Sequence, residues 1–358
     1  MAKKKFIIFI VVLLSAALLL VGLSLYGKAQ LAKVPDLTFS EALLYTLEDN
    51  KDAVITVGII QGGQTTWKVY GENAKKLPDQ LHTYEIGSLT KTFTAALINQ
   101  AIDEGKIELN ATIDNYLQLP ERKHYPTIKE LVTHTSGYKG YYFETPMIGN
   151  FFSGKNSFNG VSREMVLARA RSLDLDQENY DFKYSNFGFA VLGLVLEAVY
   201  ESDYTALLND YVQNDLGLSA TKISEQDGDL GKYWDWQLHD AYMPAGAMTS
   251  DIEDMLRYAQ MQLNDPRFGP CHKSLKTIDD STETFRALGI NLDEIAMAWI
   301  IDKENGFIWH NGGTGHYNSY LGFCPETETA VVILSNLASG YRLPATVLGI
   351  KLLQELGG

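Results

Sequence analysis

The chemistry of this chain starts in one short stretch, Tyr84–Ile98, YEIGSLTKTFTAALI. Ser88 and Lys91 stand three residues apart among Ile86, Leu89, Phe93, Ala95, Ala96, Leu97 and Ile98. Positions i and i+3 share a helix face, so the lysine amine falls beside the serine hydroxyl. A serine hydroxyl is a poor nucleophile until a base removes its proton. Burial disfavours a charged ammonium and lowers its pKa, so a desolvated Lys91 can act as that base. The helix N-terminus also aims backbone N–H groups at a carbonyl oxygen held near Ser88. The plainer alternative makes Ser88 an N-cap and Lys91 a surface lysine with its stem laid along the protein. Ser-x-x-Lys recurs at Ser136/Lys139 and Ser219/Lys222, but only Ser88 opens an apolar helix.

Two further stretches complement the first. In FKYSNFGFAVLG, Tyr184 and Asn186 precede an apolar helix and can project from a loop into a cleft. A tyrosine beside a cationic lysine can shuttle protons between nucleophile and leaving group. Asn186 offers both a donor and an acceptor to a substrate amide. The alternative is a surface turn capped by Ser185. In FIWHNGGTGHYNSYLGF, His310 ends a strand and is followed by Asn311, Gly312 and Gly313. Glycines at a strand edge admit a substrate backbone. The N–H groups of Gly313 and Ser88 can form a two-donor oxyanion hole. The same edge can bind a peptide-like substrate by strand addition. The alternative is a Gly-rich turn with a hydrogen-bonded histidine.

These residues need a scaffold. Thr38–Glu48 reads as a helix, and Ala53–Ile60 with Thr65–Tyr70 as a hairpin across Gln61-Gly62-Gly63-Gln64. Near the C-terminus, Ala296–Asp302 and Phe307–His310 flank Lys303–Gly306, and Tyr317–Cys324 and Ala330–Leu334 flank Pro325–Thr329. Leu343–Leu356 reads as an amphipathic closing helix. The middle, about 105–242, is mainly helical, with the helix Phe187–Tyr200 at its centre. Strands from both ends must then share one antiparallel sheet beside a helical lobe, an α+β layout with a cleft that Tyr138, Tyr141 and Tyr142 can line.

The chain has 358 residues, 46% of them apolar, and a formal net charge of −14, which argues against a nucleic-acid partner. Lys3, Lys4 and Lys5 precede an uncharged run from Phe6 to Tyr26, ~30 Å as a helix and enough for one bilayer crossing. Residues 1–28 are therefore expected to form a cytoplasmic stub and membrane anchor, 29–37 a stalk, and 38–358 the extracytoplasmic domain. A cleaved signal sequence is the alternative, with small residues at Gly27 and Ala29, and would leave a secreted or periplasmic protein. Cys271 and Cys324 can pair in that compartment or remain two buried thiols. No His-Glu-x-x-His, Cys-x-x-Cys or phosphate-loop pattern occurs, so no metal or cofactor is expected.

In order, Ser-x-x-Lys, Tyr-x-Asn and a strand bearing His-x-Gly resemble the penicillin-recognising serine hydrolases. The chain looks most similar to the class C β-lactamase group and its D-alanyl carboxypeptidase, D-aminopeptidase and esterase relatives. The resemblance spans roughly residues 38 to 356. It runs through EIGSLTKTFTAALINQAIDEGKIELNATIDNYLQLP, ELVTHTSGY, MPAGAMTSDIEDMLRYAQ and HNGGTGHYNSYLGFCP. It implies Ser88 as nucleophile, Lys91 and Tyr184 as coupled acid/base partners, Asn186 as a substrate contact, and His310 in the cation position of the third motif. It also implies a five-stranded antiparallel sheet flanked by helices with an inserted helical lobe. One departure is plain: His310-Asn311-Gly312 stands where the family has Lys-Thr-Gly. That weakens recognition of a free carboxylate and points toward esterase, D-aminopeptidase and weak β-lactamase members. The resemblance implies an acyl-enzyme hydrolase of small amides or esters, with a penicillin-recognising sensor of the same fold as the alternative.

Overall fold

The computed structural model describes residues 34–176, 180–223 and 228–357. The first residues described, Val34–Asp36, form a helical turn. Lys351 Nζ pins it by donating to Pro35 O and Leu37 O. The predicted anchor at 1–28 and the stalk up to residue 33 lie outside the described residues. Among those described, no helix is long and apolar enough to cross a membrane.

Ten strands are numbered here in chain order: β1 (Ile55–Gln61), β2 (Gln64–Tyr70), β3 (Tyr84–Glu85), β4 (Thr249–Ser250), β5 (Lys276–Thr277), β6 (Glu294–Ile295), β7 (Ile300–Asp302), β8 (Phe307–Gly313), β9 (Asn318–Cys324) and β10 (Thr329–Ser335). Eight make one antiparallel sheet in the order β2-β1-β10-β9-β8-β7-β6-β5, and β3 pairs separately with β4. Both ends of the chain thus meet at the β1–β10 seam, Ile55 opposite Ser335 and Ile60 opposite Ala330. Gly62 and Gly63 turn the first hairpin at φ +57° and +74°, the primed-turn geometry that suits the twist of the flanking strands.

The main sheet has eight strands where five were expected. Five are seven residues long; the extra three, β5 to β7, are short. The predicted strand Ala296–Asp302 is broken at Ala298, whose φ of +67° takes it out of extended backbone. Ala296 N donates to Trp299 O across that turn, so only Ile300–Asp302 of the run is strand, β7, and it pairs back on β6 just before the run.

All seven residues of β9 and of β10 are buried, because both faces of the sheet are covered. On one face lie the helices Phe39–Leu47 and Ala345–Gly357, packed on Val57, Ile333 and Trp309. On the other lie Thr90–Asp103 and Ile252–Asn264, and their core continues into the helices Arg163–Ser172 and Asn186–Tyr200. Thr38 caps the first helix in a capping box with Glu41. Cys271 packs in the second core and Cys324 in the first, on opposite sides of the sheet, and both are free buried thiols. The pairing that the sequence left open is not made.

Candidate active site

Ser88 sits in a single 3-10 turn, Gly87–Leu89, that leads into the helix Thr90–Asp103. Gly87 has φ +50°, and a Cβ there would fall 2.6 Å from Gly313 N. A Cβ on Gly312 would fall 1.9 Å from Ile86 O. Only glycines let the elbow and the end of β8 touch backbone to backbone. Ser319 Oγ, opposite Gly312 on β9, donates to Ile86 O at 2.7 Å and fixes the seam. The contact brings the amide of Gly313 against Gly87, the residue before Ser88.

Lys91 is fully buried in the first turn of the helix. Its Nζ stands 3.0 Å from Ser88 Oγ and donates to Ala245 O at 2.5 Å. Tyr184 and Phe189 flank the amine, which lies 4.9 Å and 5.5 Å from their ring centroids. Among the described residues no carboxylate pairs with it, and burial holds its pKa well below the ordinary lysine value.

Tyr184 lines the cleft. The residue as a whole is 39% exposed, yet its phenol is enclosed: burial pushes its pKa up, and a hydrogen bond with Ser88 partly opposes the rise. Ser185 caps the next helix, accepting from Gly188 N at 2.9 Å, so the alternative reading of a capped turn holds for Ser185 while Tyr184 faces Ser88. Asn186 is the first residue of that helix and is half-buried.

His310 lies in β8 and is buried. Its Nδ1 meets a carbonyl, Asn311 O, at 2.6 Å, so Nδ1 carries the proton and Nε2 the lone pair. Burial first, then the nearby Lys91, drops its pKa to about 3, and the bond to Asn311 only partly opposes this. The imidazole is neutral, 3% exposed, with its ring 6.3 Å from that of Tyr184.

The other two Ser-x-x-Lys pairs are not built. Ser136 is buried while Lys139 is exposed, and Ser219 and Lys222 are both exposed. Of the three tyrosines expected at the cleft, Tyr138 is core, Tyr142 is half-buried and Tyr141 is 49% exposed.

Sequence reasoning passed over two polar residues. His134 lies in the quoted loop ELVTHTSGY, and its ring packs 4.5 Å from that of Tyr184. Glu85 precedes Ser88 by three residues and is 2% exposed. Its carboxylate accepts from Trp234 N at 2.5 Å and from the Thr314 hydroxyl, tying the elbow strand to the residue after Gly313. The available signal was a lone acid between Tyr84 and Ile86, the one acidic residue in the stretch Tyr84–Ile98. Burial raises the Glu85 pKa to about 7, against both hydrogen bonds. The folded state therefore holds a proton that the unfolded chain releases near pH 4.5, so stability drains away as pH rises from about 4.5 through 7. Glu85→Gln should remove up to about 3 kcal/mol of that decline. Urea melts at pH 5 and pH 8 check it: parallel wild-type and variant curves at both pH values would refute it.

A sheet fed from both chain ends, with a serine elbow pressed on its β8 edge, is the β-lactamase/transpeptidase-like fold. The protein belongs to the β-lactamase family, whose model matches residues 47–350. Protein flp of Staphylococcus aureus strain MW2 is 24% identical over 278 residues, covering 72% of this chain and 53% of its own length. The chain thus spans about half the length of that curated relative. Among solved structures, a β-lactamase/D-alanine carboxypeptidase from Yersinia pestis superposes with TM-score 0.71 at 17% identity, covering 92% of this chain and 99% of that one. A D-stereospecific amidohydrolase from Streptomyces gives 0.66 at 19% identity, covering 88% and 98%.

Proposed function

We propose that the protein is an extracytoplasmic serine hydrolase that forms an acyl-enzyme at Ser88. One observation carries the reading: a buried amine stands 3.0 Å from a serine hydroxyl that also meets the Tyr184 phenol. Ser88 Oγ attacks the substrate carbonyl carbon and its proton passes to Lys91 Nζ. The oxyanion is held by the N–H groups of Ser88 and Gly313. The bond to the leaving group breaks, and that group leaves with a proton relayed through Tyr184 and Lys91, which act as one coupled pair. Water then attacks the acyl carbon by the reverse proton route and frees the acid. In this reading Asn186 contacts the substrate amide.

The neutral His310 supports a substrate with no free carboxylate at that position, since a lone-pair nitrogen repels an anion that a lysine would bind. A small ester or amide fits. The printed activities of the Yersinia and Streptomyces neighbours suggest a D-amino-acid unit. From the sequence alone, residues 1–28 would anchor the domain outside the cell or be removed as a signal.

Intact mass spectrometry after incubation with D-aminoacyl esters, D-peptides and nitrocefin tests the substrate class. The expected result is an acyl adduct on the peptide bearing Ser88 from the esters or amides. A mass unchanged by every member would favour a binding protein of the same fold. His310→Lys should raise nitrocefin turnover relative to ester turnover by about tenfold, the effect of one charge-assisted hydrogen bond. An unchanged ratio would remove His310 from substrate selection.

A further inference from the structure

Tyr184 is held on both flanks by one residue. His134 O accepts from Lys183 N at 2.8 Å, and His134 Nδ1 accepts from Ser185 N at 3.1 Å. Between those two bonds the His134 ring lies against the Tyr184 ring, 4.5 Å between centroids and tilted by 35°. Phe189, which also flanks the Lys91 amine, packs on the same imidazole at 5.2 Å, and Phe182 meets it edge-on at 5.9 Å.

His134 carries three unfavourable features. It is 2% exposed, a poor place for a polar ring. Its φ of +57° is a left-handed conformation that strains a side chain of this size. Because Nδ1 accepts, the ring proton is on Nε2, and that buried N–H has no hydrogen-bond partner among the described residues. Burial, with Lys91 and His310 nearby, keeps the imidazole neutral, so it does not compete for the Ser88 proton. An apolar residue would escape the last of these penalties but could not accept from Ser185 N.

We infer that His134 is a positioning residue that fixes the Tyr184 phenol against Ser88 through its two bonds to the flanking peptides. The inference rests on the reading of Tyr184 as a proton carrier. A misplacement of about 1 Å at a reacting group can cost about 100-fold in rate, so the clamp acts on acylation rather than on substrate binding.

Two substitutions in the full chain isolate it. Asparagine tolerates the left-handed backbone and returns an acceptor oxygen toward Ser185 N, whereas glycine tolerates the backbone and returns nothing. The probe is a fluorescent fluorophosphonate, read as the maximal acylation rate and the half-saturating concentration. His134→Gly should slow maximal acylation by about 30-fold or more with half-saturation within about threefold of wild type, and His134→Asn should recover most of the rate. Should glycine prevent folding, His134→Leu fills the space without an acceptor and takes its place. A glycine or leucine variant as fast as wild type, or an asparagine variant as slow as glycine, overturns the clamp. Hydrogen exchange at the Ser185 amide reads it without chemistry: protection lost in His134→Gly and kept in His134→Asn supports it, and equal protection overturns it. Wild-type protein that takes no label defeats the hydrolase reading instead and leaves the exchange result to decide the clamp.

Discussion

Ser88→Ala should abolish covalent labelling by fluorophosphonate or penicillin probes and lower turnover of any cleaved ester by about 10³-fold or more. The substitution removes one oxygen from a turn whose shape is set elsewhere. Gly87 and Gly312 keep the elbow against β8, and the Ser319 hydroxyl holds Ile86 O, so the alanine variant should fold with the same seam. Loss of label then reports the nucleophile and not the scaffold. The Tyr184 phenol loses its partner at the same stroke. In-gel fluorescence of wild type and Ser88→Ala at matched concentration, with thermal melts of both, is sufficient. Labelling that persists in a folded Ser88→Ala protein would place the nucleophile on another residue and end the proposed mechanism.

The residues that act through the backbone pattern were readable in the chain. Ser88, Lys91 and Tyr184 announce themselves because each is a polar group set in an apolar helix or at its mouth, and the hairpins around Gly62-Gly63 and Asn305-Gly306 carry their own turn chemistry. The turn at Ala296–Trp299 that cuts the predicted strand to β7 was not readable, since nothing about alanine marks Ala298 for a left-handed φ. The tautomer of His310 was hidden for a different reason. It depends on the orientation of Asn311 O, which is a product of packing. His134 and Glu85 were missed on the same ground. Each acts on partners far off in the chain, Ser185 in one case and Trp234 and Thr314 in the other, and no local spacing encodes such a contact.

Lys91→Met should separate catalysis from stability. Methionine fills the same channel beside Phe189 and Tyr184 but offers no base and no donor, so acylation should fall by about 10³- to 10⁴-fold. The stability effect has its own sign. The folded pKa of Lys91 lies well below the ordinary lysine value because burial penalises the ammonium. Below about pH 10.4 the unfolded chain therefore binds a proton that the folded state holds less tightly, and folding becomes more costly as pH falls toward the folded pKa. Methionine does not titrate, so this penalty is absent from the variant. It does lose the bond to Ala245 O, a deficit that does not change with pH. The stability of Lys91→Met relative to wild type should therefore rise as pH falls from about 10 toward neutrality. Denaturant melts of both proteins across that range measure it directly. A pH-independent difference would mean that Lys91 keeps an ordinary pKa in the folded protein. It could not then serve as the resting base for Ser88, and the proton would have to leave by way of Tyr184 alone.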